Sequence, residues 1–162
     1  MTLSWDLFII VCFAVMAGMS AVLGRGKALN ILLGSFMGYV VSTELGILVF
    51  DQARRFSHTE SFSLFLVKLA LFFAIIIVLN AKTELGGKGG DDSSLVVNLI
   101  YGFLAAGFMA TAILSFLEPS EKANLLANSN VLAQINNFKL IWIVAPIGFL
   151  FVADFLKSKV SK

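Results

Sequence analysis

Leu7-Phe8-Ile9-Ile10-Val11-Cys12-Phe13-Ala14-Val15-Met16-Ala17-Gly18-Met19-Ser20-Ala21-Val22-Leu23-Gly24 contains no ionisable side chain other than a thiol. The hydrocarbon core of a bilayer is about 30 Å thick, and roughly 20 mostly apolar residues cross it as a helix. The same pattern recurs. Counting the flanking residues that extend each block, the spans predicted are about 5–24, 28–50, 62–80, 95–117 and 138–156. The expected fold is all-α: one polytopic helical membrane bundle of four to five transmembrane helices, occupying residues 1–162 as a single domain.

Composition agrees. Of 162 residues 59% are hydrophobic and 14% charged, against about a quarter charged in soluble domains, and the mean hydropathy is +0.93. A net charge of +2 gives no electrostatic footprint for nucleic acid. The first block lacks the positive flank of a signal peptide and exceeds the usual hydrophobic length, so it is expected to stay as an anchor. Cys12 is the lone cysteine, which excludes an intrachain disulfide and a cysteine zinc site. It is expected to act as a small core hydrophobe.

The fifth block contains Pro146 and Gly148 and carries Asp154 near its end. Two readings stand for it, a true crossing and a re-entrant or interfacial segment. Before it lies the one long polar insertion, Glu118 to Lys139. Val131, Leu132, Ile135 and Phe138 share a helical face there, away from Asn130, Gln134 and Asn137. This spacing suits a surface helix over 130–138, the alternative being a loop packed on the bundle.

Lys and Arg set the expected orientation. One face holds Arg25, Lys27, Lys82, Lys88, Lys157, Lys159 and Lys162, the other Arg54, Arg55, Lys122 and Lys139. The richer face is expected to be cytoplasmic.

Small residues recur every fourth position at Gly34, Gly38, Ser42 and Gly46, and again at Asn98, Gly102, Ala106 and Ala110. Ala14, Ala17, Gly18 and Ala21 share a face of the first block. In lipid, where no hydrophobic force draws helices together, small side chains allow the close backbone approach on which packing depends. Tight helix packing is the expectation, with a homo-oligomer contact or a narrow permeation path as alternatives.

Two charges lie inside blocks. Glu44 precedes Phe50 by six residues and Lys68 follows Phe62 by six. Each therefore lies about 9 Å below the same surface. A lone charge in hydrocarbon costs at least about 2.5–3.5 kcal/mol. Glu44 lies about 80° and 120° around the helix from Gly34 and Gly38, away from most of the small-residue stripe, so it is free to face the third block and a Glu44–Lys68 pair is expected. It could be structural or a proton- or ion-coupling site, and independent snorkelling is the alternative to pairing.

Nothing points to catalysis, a metal or a cofactor. His58, with Asp51 and Glu60 nearby, has irregular spacing for a metal. The loop Glu84-Leu85-Gly86-Gly87-Lys88-Gly89-Gly90-Asp91-Asp92 lacks the spacing of a P-loop. It reads as a turn, with Asp91, Asp92, Ser93 or Ser94 capping the next helix.

The first third resembles the colicin V production protein family of bacterial inner-membrane proteins. The resemblance rests on Trp5-Asp6, then Leu23-Gly24-Arg25-Gly26-Lys27-Ala28-Leu29 leading into a glycine-rich helix. It continues in Asn98-Leu99-Ile100-Tyr101-Gly102 through Ala110, Ile113 and Leu114. The aspartate–arginine pair that usually introduces the family's fourth helix is absent, and the fifth block is not a usual family feature. The resemblance implies a multi-pass protein of the bacterial cytoplasmic membrane, accessory to peptide toxin production or export, or to envelope homeostasis. Its partners would be the lipid bilayer and other membrane proteins or itself. The competing class is a small ion- or proton-coupled channel or transporter using Glu44 and Lys68. A membrane enzyme would need polar side chains converging at one depth, and only these two charges do so.

The charge count makes a topological prediction. In a Cys12→Ala background, single cysteines at positions 88 and 159 should react with an impermeant thiol reagent from one side and a cysteine at 54 from the other. Labelling of 88 and 54 from the same side would reject the four-helix core, whereas 88 and 159 on opposite sides would remove only the fifth crossing.

Overall fold

Gly24 has φ 80 and ψ 169, a conformation open essentially to glycine alone. It sits within the first element of a computed structural model that describes residues 5–56, 63–82 and 95–160, with side chains described for 5–55, 63–82 and 95–152. His58, Glu60, the loop 84–92, Ser93, Ser94, Asp154, Lys157, Lys159 and Lys162 lie outside the residues so described. The elements are α1 (Trp5–Phe56), α2 (Leu64–Lys82), α3 (Leu95–Phe116), α4 (Pro119–Asn128), α5 (Asn130–Asn137) and α6 (Lys139–Val160), with no strand among the described residues.

α1 is two helices merged across Gly24. Contacts with α3 give the direction of each arm. Ser20 Oγ donates to the Asn98 carbonyl at 2.6 Å, Met16 and Ala17 lie on Gly102, and the Phe13 and Phe103 rings are 5.2 Å apart. The first arm therefore runs antiparallel to α3. Beyond Gly24, Ala28 and Leu32 cluster with Tyr101 and Ala105, Phe36 stacks on Phe108 at 4.0 Å, and Tyr39 reaches Phe116. The second arm therefore runs parallel to α3. α1 is a hairpin that turns within a single residue, and Arg25, Gly26 and Lys27 are already helical.

α2 returns along the second arm. A Cβ built on Gly34 would lie 3.4 Å from Ile76 Cα, and one on Gly38 would lie 2.9 Å from the Phe72 carbonyl oxygen. A Cβ on Gly102 would lie 2.6 Å from both the Met16 carbonyl oxygen and Ser20 Cβ. Both crossings are thus backbone-to-backbone contacts that a larger residue would force apart. Ser42 and Ala106 are buried with them, and Ala110 is half-buried. Ala14 and Gly18 are placed differently from the expectation. Both are exposed, and nothing lies within 4 Å of a Cβ on Gly18. The first arm meets α3 through Met16, Ala17 and Ser20, so of the expected face only Ala17 takes part, because without a side chain at Gly102 the backbone at Met16 and Ala17 comes within contact distance there.

α6 runs back against α3. The Trp142 indole occupies the space that a side chain at Gly107 would take, and Phe149 packs edge-on to Tyr101. α5 and α6 are bent by 66° about Phe138. Three helices are long and apolar enough to cross a membrane, α1 counting as one, and the α5–α6 pair passes the same test when taken together.

Gly38→Leu and Gly102→Leu should each destabilise the bundle by about 1–3 kcal/mol or more, the cost of overpacking. Gly18→Leu should be neutral. Recovery of folded protein after heating in detergent checks this, and equal tolerance at all three positions would refute the assigned contacts.

Candidate functional site

The two charges inside the apolar blocks, Glu44 and Lys68, lie at the end of the bundle where α1 finishes and α2 begins. A Cβ on Gly46 would lie 2.7 Å from Lys68 Cγ and 3.2 Å from its Cε. The lysine stem is therefore laid in the notch left by Gly46, continuing the series Gly34–Ile76 and Gly38–Phe72. This shelters the methylenes while the ammonium can extend toward the headgroups. Glu44 stands two residues before Gly46, about 200° around the helix, and is exposed. Among the described residues no ion pair joins Glu44 to Lys68. The expected pair fails for a definite reason. The small-residue stripe itself is the contact with α2, so a residue that points away from the stripe points away from Lys68.

A second polar feature ties the start of α1 to α5. Ser129 caps α5, accepting from Leu132 N at 3.1 Å. Its hydroxyl donates to Asp6 Oδ1 at 2.5 Å, and Val131 N donates to the same oxygen at 3.2 Å. A carboxylate thus sits at a helix N-terminus, where free N–H groups and the helix dipole favour it. Ser129 is recognisable in the sequence as a cap before an apolar run. Asp6 carried no sign of this role, because its partner is 123 positions away.

The third feature is apolar. Leu132 and Ile135 of α5 cluster with Leu114, against Ile9, Phe13 and Trp142. The inner face of α5 is thus packed on the bundle, although Phe138 is exposed. At the α5–α6 elbow a cavity of about 520 Å³ opens between Ile10, Phe13, Phe103, Phe138 and Trp142, with Gln134 as its one uncharged polar side chain. A second cavity of about 400 Å³ continues behind Ile9 and Phe13, where half-buried Cys12 forms part of the wall. These spaces can take hydrocarbon. Among the described residues no group of three or more His, Cys, Asp or Glu could hold a metal ion.

Elsewhere the hydroxyls of the bundle serve local backbone. Ser35 donates to the Ile31 carbonyl at 2.7 Å and Thr111 to the Gly107 carbonyl at 2.9 Å. Ser42 Oγ and Asn98 Oδ1 are buried without a hydrogen-bond partner. They belong to different helix crossings, Ser42 to the α2-facing stripe and Asn98 to the contact with Ser20.

The sequence matches no known family profile and no curated protein, and no solved structure matches the fold.

Separation of Glu44 from Lys68 makes a thermodynamic prediction. The losses in unfolding free energy of Glu44→Leu and Lys68→Leu, measured in detergent, should add in the double variant to within about 0.5 kcal/mol. A larger coupling would show that the side chains meet.

Proposed function

We propose that this chain is a multi-pass protein of a bacterial cytoplasmic membrane. The two arms of α1, α2 and α3 make four crossings, and α5–α6 forms a fifth, broken one. Its function is accessory and non-enzymatic. It supports peptide toxin production or export, or envelope homeostasis, by contacts with other membrane proteins.

The observation that carries this reading is the direction of Glu44. A carboxylate that couples ion movement must face a path through the bundle, where it can exchange protons or ions between the two sides. Glu44 instead faces outward, toward whatever surrounds the protein. The extensive apolar exterior, including Met37, Val40, Ile47 and Leu48 beside it, suits lipid and neighbouring helices. The resemblance in Trp5-Asp6 and in the Gly24 turn supports the accessory class. It names no reaction and no catalytic residue.

The test has two parts. Deleting the gene should lower export of a peptide toxin or sensitise the envelope to detergent, and the intact chain should restore both. The purified protein, reconstituted in vesicles containing a pH-sensitive dye, should pass no more protons than empty vesicles. A Glu44-dependent flux would replace the accessory reading with the transporter. Absence of any deletion phenotype would remove the role in export and envelope maintenance.

A further inference from the structure

The second arm of α1 has three sides, and two are covered. Gly34, Gly38 and Gly46 meet α2, and Ala28, Leu32 and Phe36 meet α3. Along the third side run Leu33, Met37, Val40, Glu44, Ile47 and Asp51, all exposed. Their steps alternate four and three residues, the spacing of a seam between paired helices. Glu44 lies in the middle of that seam, within the apolar segment, and Asp51 lies one heptad further on. Neither forms an ion pair within the chain among the described residues.

We propose that this face docks a transmembrane helix of a different membrane protein, and that the helix presents a lysine or arginine to Glu44. The proposal rests on the accessory reading and names the chemistry of the partner.

Charge complementarity selects this occupant. Lipid chains offer no counter-charge at the depth of Glu44, and hydrocarbon disfavours a charge that is neither paired nor hydrogen-bonded. A basic residue on a facing helix supplies both attraction and donors. The chain's own cation at this depth, Lys68, is seated on Gly46 on the far side of the arm. A second copy also fails to supply the charge. Two copies sharing one membrane orientation and meeting through this seam are related by a two-fold axis, which sets each residue against its own counterpart. Glu44 would then oppose Glu44, a repulsive contact. A single polar residue in an apolar seam also fixes the register of the pairing, so the basic residue must lie at the depth of Glu44.

The experiment uses the full chain in its native membranes. A photoreactive benzoylphenylalanine is placed at Val40, at Ile47, or at Ile77 on the exposed face of α2 as a control. Irradiation should give one adduct from positions 40 and 47 and none from 77. The captured protein should be integral to the membrane and carry Lys or Arg within a span. Glu44→Gln, which keeps the side chain's shape, should cut the yield by about tenfold with the protein still present in the membrane at its usual level. Glu44→Lys should abolish the adduct, and replacing the partner's basic residue by Glu should restore it.

The proposal is overturned by the absence of an adduct, by an adduct with a second copy alone, by a partner lacking a basic residue in its span, or by a yield indifferent to Glu44→Gln. The accessory reading fails separately, through the deletion phenotype. A clear deletion phenotype with no Glu44-dependent adduct therefore removes only the docking helix.

Discussion

Backbone proximity at glycine holds this bundle together. Two crossings depend on it: Gly34 and Gly38 against α2, and Gly102 against the first arm, whereas Gly107 makes room for the Trp142 indole. In water such contacts would be supplemented by the exclusion of solvent from apolar side chains. In lipid that term is lost, because the alternative neighbour is equally apolar. What remains is dispersion between closely spaced atoms, which falls off steeply with separation. Glycine at a crossing lets two backbones approach, so many atoms come into contact at once. Side-chain packing in the rest of the protein, such as the Phe36–Phe108 stack and the Tyr39–Phe116 pair, follows from the helix positions that these contacts impose.

The apolar blocks and the glycine-rich second helix could be read from the residues, whereas the cap at Ser129 was not singled out. Each is a local pattern. The period of small residues predicted close contact at Gly34, Gly38 and Gly46, but a period cannot say which neighbour occupies the stripe. That gap produced the Glu44–Lys68 pairing: once α2 takes the stripe, Glu44 must face elsewhere. Ala14 and Gly18 illustrate the same point from the other side. They share the spacing of a packing face and yet lie on the exterior, because Gly102 meets Met16, Ala17 and Ser20 about a third of a turn away. The Asp6–Ser129 link joins residues from opposite ends of the chain, and nothing in either neighbourhood announces the other.

The functional reading depends on which side of a helix a charge occupies. The same Glu44 in the interior would have argued for coupling to ion movement. On the exterior it supports the proposed recognition of a partner, since no described residue of the chain forms an ion pair with it. The cavities at the elbow have the opposite character. Their walls are almost wholly hydrocarbon, which suits chain occupancy rather than chemistry, and Glu44 is not among the residues that line them.

The turn at Gly24 also constrains how the helices can move. Its arms are joined through one residue in a conformation that other amino acids resist, so neither arm can slide along α3 without carrying the other. A shift of the first arm against Gly102 would have to be matched where Ala28 and Leu32 of the second arm meet Tyr101 and Ala105. The hairpin is therefore a clamp that fixes the register of α3 at two places at once.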